Sequence, residues 1–209
     1  MDPRTRVLTA LQHREPDRVP HFEFGVDPAL VRHFLPLDLP QSPDGGHEFA
    51  CVERNLYSAE QAKQIAAFLR LDNICYTLRA PVYAERHPGA DGRPFYGAGL
   101  IRNEADLARI QLPDPYDDTL YAEAAEFARQ KEGYAACLVT RIGIFPTILS
   151  MGLEGFSLAL YDNRALVETV LDMYFDWTAA MAERACRLGF DLFITTDDLA
   201  YNCLLYTSP

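Results

Sequence analysis

The chemistry-bearing residues of this chain gather where apolar runs end. In "FITTDDLAYN", residues 193–202, Asp197 and Asp198 follow a run that reads as a buried strand. Adjacent carboxylates there suffer desolvation and mutual repulsion unless something uses them. Three similar run ends carry Glu23 with Asp27, Thr77 with Arg79, and Thr140 with Arg141. Two arginines and several acids on one edge of a sheet suit a charged or oxygen-rich small molecule. Side chains alternate along a strand, so one of Asp197 and Asp198 can face such a site while the other caps a turn or helix. Arg79 and Arg141 can equally pair with acids at the same edge. His21, on the polar face of the first run, reads as a hydrogen-bonded residue lining the site rather than a metal ligand.

The elements that must position these residues alternate. "DPRTRVLTALQH" reads as a helix with Asp2 as N-cap and Pro3 in its first turn. Strands are expected at about 19–24, 73–78, 135–141 and 191–197, separated by one or two helices each. "SAEQAKQIAAFLRL" carries Ser58 and Gln61 at capping-box spacing, and "NRALVETVLDMYFDWTAAMAERACRLG" reads as one long helix. "FPTILSMGLEGFSLALYD" reads as helical, "RHPGADGRPFYGAGLI" as a hairpin or lid, and residues 36–49 as a loop. Strands separated by helices predict a parallel sheet with right-handed crossovers, either doubly wound or a (β/α)8 barrel. The first strand-to-helix turn has no GxGxxG, which removes the usual cofactor signature of the doubly wound fold. Four strands are half of the eight in a barrel, whose chemistry lies at the strands' carboxyl ends.

Composition narrows the function. The 209 residues carry a formal charge of −11, with no Lys/Arg block. That argues against nucleic acid or an anionic membrane as partner and favours small-molecule chemistry. No stretch approaches the roughly 20 apolar residues of a membrane span, and the N-terminus has no signal-peptide core, so a cytoplasmic location is expected. The five cysteines, Cys51, Cys75, Cys137, Cys186 and Cys203, form no CxxC or HxC pair and read as reduced thiols. His47 and Cys51 are four apart, but a Gly-rich lead-in argues against a helix that would bring them together to bind metal.

The opening "PRTRVLTALQHREPDRVPHFEF", followed in order by "LRLDNICY", "PDP", "IFPTILSMGLEGF" and "GFDLFITTDDLAYN", resembles the uroporphyrinogen decarboxylase superfamily across residues 3–202. The resemblance implies a (β/α)8 TIM barrel, with about the first half, four strands, present in a single domain over residues 1–209. It also implies one of two chemistries: cofactor-independent decarboxylation of porphyrinogens, or methyl transfer between corrinoid proteins and thiols or other acceptors using zinc. The decarboxylases resemble RQAGR after the first strand, where this chain has "FEFGVDPAL" and no arginine. Their FSD aspartate corresponds to Arg79, their tyrosine to Met151, and their FDSWAG-like strand to "TTDDLA".

"DDLAYN" looks more like the methyltransferase-like branch, so corrinoid-linked methyl transfer is the function the resemblance favours. A decarboxylase and a non-enzymatic ligand-binding barrel are its alternatives. On this reading Asp197 and Asp198 are the catalytic candidates, and Glu23, His21, Arg79 and Arg141 bind substrate. Zinc ligands, an HxC pair and a later Cys, are expected in a second half beyond this sequence, and none within it. The expected partners are a small-molecule substrate and a corrinoid protein as methyl donor; a homodimer is compatible with the resemblance. "CLLYTSP", residues 203–209, departs from the family-like course and reads as a non-native tail, so truncation is expected. Half a barrel would leave an open strand edge and be inactive by itself.

Overall fold

A computed structural model describes residues 1–37, 39, 55–88 and 94–197. His47, Cys51, Asp198 and the tail at 203–209 lie outside the described residues. The chain begins with α1 (Pro3–Leu11) and α2 (Pro28–Phe34), each started by an aspartate N-cap, Asp2 and Asp27, followed directly by proline. In α3 (Ala59–Leu69) the capping box is complete: the Ser58 side chain accepts from Gln61 N–H, and the Gln61 side chain accepts from Ser58 N–H.

β1 (Asn73–Thr77), β4 (Ala135–Thr140) and β5 (Leu192–Thr195) form a parallel sheet in the order β1-β4-β5. Between β1 and β4 lie the antiparallel hairpin β2 (Ala84–Pro88) and β3 (Pro94–Gly99), two 3-10 turns, and α4 (Ala122–Arg129). Three helices, α5 (Ile144–Met151), α6 (Leu153–Asp162) and α7 (Arg164–Ala185), separate β4 from β5.

The expected strand at 19–24 is the main correction to the element order. Residues 21–23 are extended beside β1 but make no ladder. Pro20 brings no N–H. At the next rung the Asn73 side chain takes the place of a backbone partner: Glu23 N–H donates to Asn73 Oδ1 at 3.0 Å, and Asn73 Nδ2 donates to the Glu23 carbonyl at 2.7 Å. The parallel sheet therefore has three strands among the described residues. The helix expected around 144–162 is likewise two, meeting at 99° across Gly152. Gly152 has φ +74°, a conformation that side chains other than glycine adopt rarely.

Alternation along the strands divides their side chains. Ile74, Tyr76, Leu78, Ala136 and Leu138 join the main core with Phe127, Val170, Tyr174, Trp177 and Met181 from the helices. The long helix α7 buries Leu166, Val167, Val170, Tyr174, Trp177, Thr178, Met181 and Ala185, the 3–4 spacing of one apolar face. Each large apolar side chain so buried contributes about 1.5–3 kcal/mol before chain entropy is counted. Asn73, Cys75, Thr77, Cys137 and Val139 point to the other side of the sheet. No single helix among the described residues is long and apolar enough to cross a membrane.

The amino end of the sheet is fastened by charge. Asp72, 0% exposed, accepts from Arg6 Nη1 at 2.5 Å, from both terminal nitrogens of Arg18 at 2.8 and 2.9 Å, and from His21 N–H at 2.8 Å. Arg6 also reaches Asp17 through Nε at 2.6 Å. The Arg6 hydrogen bond holds the Asp17 carboxyl far below the usual carboxylate range. A depressed carboxylate stabilises the fold above its unfolded-state value, about 3.9, and loses that contribution as pH falls toward the folded value. Wild-type urea midpoints should therefore fall as pH drops from about 4 toward 2, and Asp17→Asn should flatten that part of the slope. An unchanged slope in the variant assigns acid sensitivity to other groups.

Candidate functional site

Two guanidinium groups converge beyond the carboxyl ends of neighbouring strands. Arg79 follows β1 by two residues and Arg141 follows β4 directly, with only 8% and 4% of their surface exposed. Burial first, and then the charge of Arg141, push the Arg79 guanidinium down to about 10. The structure thus holds two cations near each other, in a place that disfavours the charge of Arg79. Arg79 Nη2 donates to Thr196 Oγ1 at 3.2 Å, and Thr196 Oγ1 donates onward to the Thr140 carbonyl at 3.1 Å. Arg141 lies over the Phe145 ring, 4.8 Å from its centroid, in cation–π geometry. Tyr96, from β3, acts electrostatically on Arg79, which brings the hairpin to the same edge.

Asp197 belongs to this group, and its carboxylate has a structural employment. Oδ2 accepts from Ile142 N–H at 2.5 Å, while Oδ1 accepts from Phe145 N–H at 3.0 Å and Gly143 N–H at 3.5 Å. These N–H groups at the start of α5 have no intrahelical acceptor, and a negative charge there also complements the helix dipole. Asp197 therefore caps α5 from a distant strand and fixes Phe145 beneath Arg141. Asp197→Ala is expected to lower stability by about 1–2 kcal/mol and to speed hydrogen exchange at residues 142, 143 and 145. Unchanged exchange at those amides would refute the capping role.

The other two candidates stand elsewhere. His21 is paired through its backbone with Asp72, at the amino end of β1, and its side chain is exposed. About 16 Å of strand separates that level from Thr77, at 3.3 Å per residue. Glu23 lies beside Asn73, the first residue of β1; its carboxylate accepts from the neighbouring Phe24 N–H at 3.0 Å. It lines a cavity of about 50 Å³ with Asn73, Cys75, Thr77 and Asn55. The placement of Glu23 departs from the expected carboxyl edge, because residues 21–23 run beside the beginning of β1 and not its end. Sequence reading missed Phe145 and Tyr96. The first could have been found four residues after Arg141, whereas the second comes from a hairpin whose docking has no local signal.

Among the described residues no three His, Cys, Asp or Glu side chains lie close enough together to hold a metal ion. The zinc that the family resemblance implies has no site among them, and no chemical step is routed through it.

Fold and edge together define a mixed α/β protein: helices packed on a parallel sheet, with two buried arginines at its carboxyl end. No family model matches the chain, and no curated protein matches it. Among solved structures it is similar to a methyltransferase from Methanosarcina mazei, with a TM-score of 0.64 at 14% identity, over 92% of this chain and 58% of that one. The likeness shows a shared fold, and the chain spans less than two thirds of that structure's length.

Proposed function

We propose that the chain belongs to a methyltransferase whose methyl acceptor carries an anionic group, a carboxylate or a sulfonate, held by Arg79 and Arg141. The observation that carries this reading is the convergence of two buried guanidiniums at the carboxyl ends of adjacent parallel strands, where folds of this kind take their ligands. An anion between them would offset the burial and the neighbouring charge that act on Arg79. The fold shared with a methyltransferase supports the choice of methyl transfer, as does the sequence resemblance to the corrinoid-linked branch.

In this reading a methylated corrinoid protein is the donor and the acceptor is a thiol. The arginines fix the acceptor's charged end, and Asp197 holds α5 so that Phe145 keeps Arg141 in place. The acceptor sulfur's lone pair then forms the new bond to the methyl carbon, the donor keeps the electron pair of the bond that breaks, and the thiol proton goes to solvent. Positioning of this sort is worth several kcal/mol when the reacting atoms are well aligned.

Methyl transfer from methylcobalamin to a thiol bearing a sulfonate or carboxylate, compared with an uncharged thiol of the same size, tests the proposal. The anionic thiol should be favoured by about 100-fold or more in kcat/KM, as expected when a buried charge contact is present in one case and absent in the other. Arg79→Met and Arg141→Met should each erase that preference while sparing the uncharged thiol. Equal use of both thiols by the wild type would overturn the anion assignment, and no methylation of either by the chain joined to the second half expected for its fold would overturn methyl transfer.

A further inference from the structure

The two thiols of Cys75 and Cys137 occupy one rung of the parallel ladder. The two residues are direct partners in the β1–β4 register, and alternation puts their side chains on the same face of the sheet. Cys137 is fully buried at the centre of the sheet, while Cys75 is half-buried and borders the cavity of about 50 Å³ beside Glu23. Asn73 Nδ2 donates to Cys75 Sγ at 3.2 Å, which fixes where that sulfur lies. None of these atoms belongs to the arginine edge.

From this geometry we infer that Cys75 and Cys137 form a two-coordinate site for a thiophilic d10 cation, of the Cu⁺, Ag⁺ or Hg²⁺ kind. Neighbouring strands lie about 4.7–4.9 Å apart. Two metal–thiolate bonds of about 2.3 Å laid end to end span about 4.6 Å, close to that strand spacing, so side chains standing side by side can take an ion between them without moving the strands. A disulfide needs Cβ atoms about 3.5–4.5 Å apart, which would pinch the strands together. Soft thiolate pairs select soft cations over zinc, for which two ligands are too few. Binding replaces two S–H bonds by two metal–sulfur bonds and releases two protons to solvent. A divalent ion then gives a neutral buried unit, and a monovalent ion leaves one negative charge near the Asn73 amide. The cavity exceeds the roughly 10–15 Å³ that a water molecule needs, which gives an ion a route to Cys75.

The test uses the reduced full chain with Cys51, Cys186 and Cys203 replaced by serine, titrated separately with Hg²⁺, Ag⁺ and acetonitrile-stabilised Cu⁺ against a competing monothiol. One ion per chain should bind with two protons released, and X-ray absorption should show two sulfur neighbours at about 2.3 Å. Adding Cys75→Ser should weaken binding by more than the 10–100-fold typical of losing an outer-shell partner. Which of the three ions binds most tightly selects the charge state. Affinity no greater than that of the single-thiol variant, or a spectrum with one sulfur neighbour, overturns the site. So does the recovery of a Cys75–Cys137 disulfide after glutathione disulfide treatment in place of metal binding. The absorption measurement needs no substitution at the pair itself, so a Cys75→Ser variant that fails to fold leaves the test decisive.

Discussion

Asp72→Asn should lower unfolding free energy by about 3–5 kcal/mol, the usual result of leaving a buried charge network without one of its partners. The carboxylate it removes is fully buried and joins Arg6, Arg18 and the His21 amide. Arg6 keeps Asp17 as a partner, but the bidentate Arg18 contact and the His21 anchor lose their acceptor charge. For a chain of this size, that change corresponds to a fall of about 6–20 °C in Tm, at about 2–4 °C per kcal/mol. Urea midpoints for wild type, Asp72→Asn and Arg18→Met measure it. Arg18→Met should cost much less, because its side chain is 45% exposed and exposed ion pairs are worth about 0–1 kcal/mol. Equal effects from the two variants would show that Arg18 is the principal partner and Arg6 a bystander.

The second large effect is expected at Gly99. A Cβ built there would lie 2.1 Å from both the Met151 carbonyl carbon and the Gly152 nitrogen, so backbone has to move. Next to it, Leu100 N–H donates to the Tyr83 carbonyl and Ile101 N–H to the Ser150 carbonyl, while Tyr83 N–H donates to Ser150 Oγ. Gly99→Ala should therefore unseat the hairpin from α5, at or above the upper end of the about 1–3 kcal/mol that overpacking costs. Limited proteolysis between residues 84 and 99 should accelerate, and anionic-thiol preference should weaken because Tyr96 moves with the hairpin. Gly155→Ala is the control: a Cβ there meets nothing within 4 Å. Wild-type proteolysis rates in Gly99→Ala would show that the backbone yields without cost.

Local chemistry was legible in the sequence, and long-range chemistry was not. The caps at Asp2, Asp27 and Ser58 work over three residues, so their signals are complete within the helix they start. β4 announces itself as an unbroken apolar run because it is the central strand and buries both faces. The extended segment at 21–23 misleads because its alternation is real, while the partner that completes it is an amide side chain fifty residues away. The arginines were found from their position after strands, but the sequence could not show that Asp197 faces the α5 amides. Nor could it show that Cys75 and Cys137 share a rung, since that depends on the register of two strands some sixty residues apart. Glu23 reads as a carboxyl-edge residue because it ends an apolar run, yet that run meets the sheet at the level of Asn73, the first residue of β1.

The tertiary cap on α5 has a consequence for the growing chain. Ile142 N–H waits for an acceptor that lies 55 residues later. At a synthesis rate of about 5–20 residues per second, Asp197 is made about 3–11 s after the helix it secures. Throughout that interval the first amides of α5 have no acceptor, and α7 is itself completed only shortly before Asp197, so the opening turn stays frayed and Phe145 cannot settle under Arg141. The arginine edge thus stays incomplete until synthesis has passed Asp197, and until then a nascent chain carries its two arginines without the clamp that aims them.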